Sequence, residues 1–155
     1  MARIMYCTLR DGANVLGKGF SGEITTMVVE GLIKNNIRCI EYGNCLGVGA
    51  YEANGSIAPL TDVEYLDLLA PYMDRAEIGM FMGRANANAD NVALCAAKGL
   101  SFLRIGANAG DGEYTHSGIR LVKEAGMTCR YSIMKAYLLP PAELAKEAVD
   151  LEKAG

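Results

Sequence analysis

The string Thr8-Leu9-Arg10-Asp11-Gly12 sets a guanidinium beside a carboxylate where an apolar run gives way to a turn. A divalent ion takes hard oxygen ligands, which Asp11 offers, and Arg10 can stabilise an oxyanion forming next to such an ion. Asp-Gly is also among the commonest turn dipeptides, so a plain strand-to-loop turn explains the same residues. Further on, Cys39-Ile40-Glu41-Tyr42-Gly43 embeds Glu41 among apolar neighbours. A carboxylate there is costly unless paired, and Arg10 is the natural partner, whether the pair is functional or only structural. Lys135 could form a Schiff base or bind a carboxylate, or simply be solvated. The single histidine, His116, has no partners for a His-rich metal site or a triad and reads as a surface or capping residue. The polar loop 83–88 and the glycine-rich loop 106–112 lack the glycine spacings that cradle a nucleotide phosphate.

The elements that must position these residues are short apolar runs alternating with runs of helical period, the pattern of βα units around a parallel sheet. Strands are predicted at 3–9, 38–42, 77–82, 102–107 and 128–134. Ile24, Met27, Val28, Gly31 and Leu32 predict one apolar helix face. Thr61 and Glu64 stand at capping-box spacing before Leu66, Leu69 and Ala70. Later helices carry Val92, Cys95 and Ala96; Ile119, Val122 and Ala125; and, after Pro140-Pro141, Leu144, Ala148 and Leu151. Gly99 and Gly126 close two of them before the next strand. An open doubly wound sheet and the first part of a TIM barrel both accommodate five such units, and both gather chemistry at the C-terminal ends of the strands.

The bulk composition narrows the function classes. Of 155 residues, 51% are hydrophobic and 21% charged, and 15 basic against 18 acidic side chains leave a net charge of −3. That describes a globular domain and argues against nucleic-acid binding through phosphates. No apolar run is long enough for a membrane helix and no signal-peptide core is present, so a cytoplasmic protein is expected. The five cysteines show no paired spacing and read as reduced thiols. Cys39, Cys95 and Cys129 are read as core filler, while Cys7 and Cys45, near strand ends, are left open.

TLRDG at 8–12, the Phe20-Ser21 helix entry, IEYG at 40–43 and LTDVEYLDLLAPY at 60–72 together resemble the DRE-TIM metallolyases, and within them most closely the 4-hydroxy-2-oxovalerate aldolases. The likeness extends through 44–61, 76–82 and 138–155. It implies an α/β fold, a TIM (β/α)8 barrel of which residues 1–155 are about the first five βα units and the N-terminal portion of one domain. It implies retro-aldol cleavage of a 4-hydroxy-2-oxoacid to pyruvate and an aldehyde, with Asp11 a ligand to Mn²⁺ or Mg²⁺, Arg10 stabilising the enolate and Glu41 orienting it. Asn14, Asn44 and Lys135 are candidate substrate-binding residues. The partners implied are a 2-oxoacid substrate, a second copy of the chain and an aldehyde dehydrogenase. The sequence departs from the family pattern at Asn14, where a histidine base is usual, at Tyr6, where an aspartate is usual, and at Lys135, where a small hydroxyl residue is usual. The family's H-x-H metal ligands lie in a segment this chain lacks, so the isolated chain is expected to be inactive. The alternatives are a Claisen-type acyl-CoA lyase or synthase of the same superfamily and a noncatalytic scaffold.

Overall fold

A computed structural model describes residues 3–53 and 58–155. Four parallel strands, β1 (Cys39–Tyr42), β2 (Glu77–Gly83), β3 (Phe102–Asn108) and β4 (Thr128–Met134), pair in chain order β1-β2-β3-β4. The helices are α1 (Thr8–Asp11), α2 (Gly22–Lys34), α3 (Ala50–Ala53), α4 (Asp62–Leu69), α5 (Ala89–Ala97), α6 (His116–Glu124) and α7 (Pro141–Ala154). The order never reverses along the sheet, so the switch point that defines a doubly wound fold is absent among the described strands.

The expected first strand over 3–9 is reduced to one bridge. Tyr6 pairs in parallel with Ile40, its N–H donating to Cys39 O and its carbonyl accepting from Glu41 N–H. Immediately beyond, Cys7 O accepts from both Arg10 N–H and Asp11 N–H, and the chain turns into α1. The local helical bonds thus replace the ladder that a strand through Leu9 would need. Arg10 consequently sits on a helical turn beside β1.

The alternation of strand side chains divides the sheet into two unlike faces. Ile40, Tyr42, Ile78, Met80, Met82, Leu103 and Ile105 are buried under the helices in one apolar core with Val29, Leu66, Leu69, Val92, Cys95, Ile119 and Val122. Glu41, Gly79, Phe81, Phe102, Arg104 and Gly106 occupy the alternate positions and lie outside that core cluster.

The helices form where the sequence predicts them, but the buried faces differ in part, most clearly in α2. There Thr25, Val29, Leu32 and Ile33 are buried, while Ile24 and Met27 are exposed, so the buried stripe is rotated from the predicted one. Ser21 fixes the start of α2 by accepting from Ile24 N–H. The capping box of α4 is complete: Thr61 accepts from Glu64 N–H and the Glu64 carboxylate accepts from Thr61 N–H. In α7 only Leu151 of the three expected inward residues is buried. Among the described residues, no helix is long and apolar enough to cross a membrane.

Candidate active site

Glu41 lies in the middle of β1, a strand buried at every position. Its carboxylate is completely inaccessible to solvent and accepts three charge-assisted hydrogen bonds. Arg10 Nε donates to Oε1 at 2.8 Å; Arg104 Nε donates to Oε2 and Arg104 Nη2 to Oε1, both at 2.6 Å. Arg104 therefore forms the bidentate fork, whereas Arg10 contributes one edge of its guanidinium. Donation to the Glu41 carboxylate holds the Arg104 pKa above the ordinary arginine value, against the opposing effect of burial.

Arg104 reaches Glu41 across β2, where Gly79 is the register partner of Glu41 and adds no side chain. A Cβ on Gly79 would stand 2.4 Å from Phe102 O and 2.5 Å from the Phe102 ring, so only glycine fits. Phe81 lies between the two cations: the guanidinium carbons of Arg10 and Arg104 are 4.6 and 5.3 Å from its ring centroid. Each is attracted to the negative face of the ring, which offsets part of the repulsion between them.

Asp11 is beside this cluster, Arg10 Nη1 lying 3.1 Å from its Oδ1, and its side chain is 65% exposed. Asp11 is thus an exposed carboxylate at the rim and Glu41 a buried one beneath. Among the described residues no three His, Cys, Asp or Glu side chains gather to hold a metal ion. Asp11, itself paired with Arg10, is the exposed carboxylate of this cluster, since the Glu41 oxygens are buried and taken by arginine N–H groups. The described donor set does not by itself fit a divalent ion.

The remaining candidates are dispersed. Asn14 is exposed and donates its amide to Asp11 O, which braces the turn after α1. Asn44 is fully buried; its amide donates to Gly47 O and Asp62 Oδ1, and its oxygen accepts from Leu46 N–H. Its amide thus ties the loop after β1 to the start of α4. That loop packs closely enough on β2 that a Cβ on Gly47 would lie 2.4 Å from Phe81 O. Lys135 is exposed beyond β4 with a left-handed backbone. His116 begins α6 with Nε2 3.0 Å from Asp150 Oδ2, an ion-pair approach between α6 and α7. Cys39, Cys45 and Cys95 are buried, and burial pushes the Cys95 and Cys129 thiols up to about 12 and about 11. Those two are inert at neutral pH.

Arg104 is the participant that the sequence did not disclose. The only signal was a charged residue inside the apolar run Phe102-Leu103-Arg104-Ile105, the same kind of signal that drew attention to Glu41.

With this geometry in place, comparison with known proteins is informative. No family model matches the chain. The 4-hydroxy-2-oxovalerate aldolase 2 of Nocardia farcinica is 26% identical over 148 residues, covering 96% of this chain and 43% of that protein. The 4-hydroxy-2-oxovalerate aldolase of Carboxydothermus hydrogenoformans is 25% identical over 153 residues, covering 99% of this chain and 46% of that protein. The chain is related to the 4-hydroxy-2-oxovalerate aldolases. It spans less than half the length of these relatives. Its fold is shared with a carboxyl transferase domain of Rhizobium etli pyruvate carboxylase, solved with pyruvate, at a TM-score of 0.69 and 18% identity over 100% of this chain and 30% of that one. It is shared also with the N-terminal domain of a candidate aldolase from Bacteroides vulgatus, at a TM-score of 0.63 and 14% identity over 98% of this chain and 60% of that one.

Proposed function

We propose that this chain is the N-terminal portion of a TIM-barrel carbon–carbon lyase that cleaves a 4-hydroxy-2-oxoacid to pyruvate and an aldehyde. The observation that carries the reading is the anchoring of Arg10: Nε is fixed on a buried carboxylate and Nη1 stands at the rim beside Asp11. A guanidinium oriented by carboxylates at Nε and Nη1 can turn a remaining N–H toward an oxygen that becomes negative, and it needs no reorganisation when the charge appears. The relationship to aldolases along nearly the whole chain supports the same reading.

In a retro-aldol cleavage the C4 hydroxyl gives up its proton, the C3–C4 bond breaks, and its electron pair passes through C3 and C2 to the 2-oxo oxygen. The C4 fragment leaves as the aldehyde. Protonation of C3 then turns the enolate into pyruvate. Arg10 binds the enolate oxygen, Glu41 keeps the guanidinium oriented, and Phe81 covers the face of the two cations. Asn14 cannot take the C4 hydroxyl proton, because an amide is not basic near neutral pH. A bound Mn²⁺ or Mg²⁺ would supply Lewis acidity, with Asp11 as one ligand and the others from outside the described residues. An aldehyde dehydrogenase that takes up the aldehyde completes the proposal.

The test is pyruvate release from 4-hydroxy-2-oxovalerate, followed with lactate dehydrogenase and NADH, using the complete gene product that carries this chain and added Mn²⁺. Pyruvate and aldehyde in equal amounts support the reading. Acetyl-CoA formed from an acyl-CoA substrate instead, or no cleavage at all, overturns it.

A further inference from the structure

We infer that Arg104 is a positioning residue for this site: by closing its fork on Glu41 it keeps the Arg10–Glu41–Arg104 cluster net positive, so that Glu41 does not by itself neutralise the charge with which Arg10 meets the anionic oxygens of a 2-oxoacid. The inference rests on the function proposed above and adds a residue to it.

The charges can be counted. Both guanidinium groups are permanently protonated, and all three hydrogen bonds on the Glu41 carboxylate come from them. Two cations against one anion leave an excess of one positive charge. Asp11 opposes it from the Arg10 Nη1 side at 3.1 Å, in a largely exposed position, so the excess belongs to the buried trio and not to the rim as a whole. The division of labour is unequal. Arg104 takes both Glu41 oxygens through two donors at 2.6 Å, whereas Arg10 uses only Nε at 2.8 Å. Neutralising Glu41 is therefore mainly the task of Arg104. Were it absent, Glu41 could turn its full charge, and both oxygens, on Arg10.

The placement of Arg104 is fixed by the strand. Leu103 and Ile105 on either side are fully buried under the helices, which directs Arg104 to the opposite face. A second cluster on the same sheet offers a comparison. Glu77 is held by Arg3 and Arg130, and the Arg130 guanidinium carbon lies 4.2 Å from the Phe102 centroid. Its carboxylate is 41% exposed, so its charges are screened and no anion is called for. Arg130 is the register partner of Arg104 and therefore a matched control.

The test uses the full chain with oxalate, a planar anion resembling the enolate of pyruvate, and follows the Arg10 Nε–H resonance in arginine-selective NMR. In the parent protein oxalate shifts that resonance saturably. Arg104→Met weakens oxalate binding by about tenfold or more, the order expected for losing one charge across a few ångströms of protein. Arg104→Lys, which retains charge but not the fork, keeps oxalate affinity within about threefold. In the lyase assay of the complete gene product, the same lysine variant lowers kcat about 100-fold with little change in KM, as expected when a reacting geometry is loosened. Arg130→Met leaves oxalate affinity within about twofold.

No oxalate-induced shift in the parent protein, parent-like binding by Arg104→Met, or an equal loss in Arg130→Met overturns the inference. Melting curves establish that each variant is folded; should Arg104→Met fail to fold, the lysine variant decides through its split between affinity and kcat. Arg104-dependent oxalate binding without any lyase turnover upholds the charge argument and removes the proposed reaction. Turnover unaffected by either Arg104 variant does the reverse.

Discussion

A carboxylate with no solvent access is stable only because three N–H donors surround it, and two of those come from a residue on another strand. Replacing Glu41 by Leu would leave Arg104 without its counter-charge and Arg10 with only the exposed Asp11. Breaking a buried pair in this way costs about 3–5 kcal/mol. Urea denaturation should therefore show Glu41→Leu destabilised by about that amount, and a loss under about 1 kcal/mol would mean the cluster relaxes into water. Arg10→Lys is expected to preserve most stability yet reduce kcat of the complete enzyme by about 100-fold, since an ammonium cannot hold Glu41 with one edge and an enolate oxygen with another. Near-parent turnover would remove Arg10 from the mechanism. At this scale the sequence disclosed Arg10 and Glu41 as partners because each stood out chemically from its surroundings. It did not disclose Arg104, whose link to Glu41 spans 63 positions and depends on Gly79 leaving space on the strand between.

The strands at 77–82, 102–107 and 128–134 were legible because buried parallel strands are short, apolar and bounded by polar or glycine residues. Two elements were less so. The run before Arg10 has strand-like composition, but the carbonyl of Cys7 serves two N–H groups of a helical turn, leaving one bridge at Tyr6. In α2 the sequence offers apolar residues on two sides, Ile24 and Met27 as well as Val29, Leu32 and Ile33, and periodicity cannot say which side meets the core. The N-terminal segment depends instead on charge. Arg3 and Arg130 both hold Glu77 at the start of β2. The hydrogen bond from Arg3, aided by the attraction of both arginines and opposed by burial, holds the Glu77 carboxyl below its usual range. A lowered folded pKa contributes stability that is complete above the ordinary glutamate value and is lost as pH falls through the folded one. The stability difference between the parent and Glu77→Gln should therefore be constant near neutrality and shrink below about pH 4. Thermal melts across that range check it; a difference that persists unchanged in acid would show that Glu77 contributes through packing alone.

At the scale of the molecule, the described residues leave two requirements unmet. One is chemical. Asp11 is a single ligand, and a lone carboxylate cannot replace the six to eight oxygens that hard cations take. Calorimetry of this chain with Mn²⁺ should give weak, unsaturated heats at millimolar metal; stoichiometric tight binding would reveal a ligand set that the geometry does not contain.

The other requirement is structural and follows from the position of β4. Its described partner is β3 alone, so its outer backbone N–H and C=O groups face no strand. Its residues are only partly covered, while β2 and β3 are buried through their centres. Between β4 and α7 lies a cavity of about 370 Å³ lined mainly by apolar residues, among them Ile119, Ile133 and Leu151, together with Arg130 and Glu152. An uncovered strand edge is a template for another strand. For the isolated 155-residue chain the strand most available at high concentration is that of a second copy. Light scattering on a sizing column should accordingly show the average mass rising above 16.6 kDa as concentration increases from micromolar to hundreds of micromolar. Ile133→Lys, which places a charge on the edge strand, should move that rise to higher concentration. A monomer whose mass is constant over the whole range would show that the β4 edge is already protected.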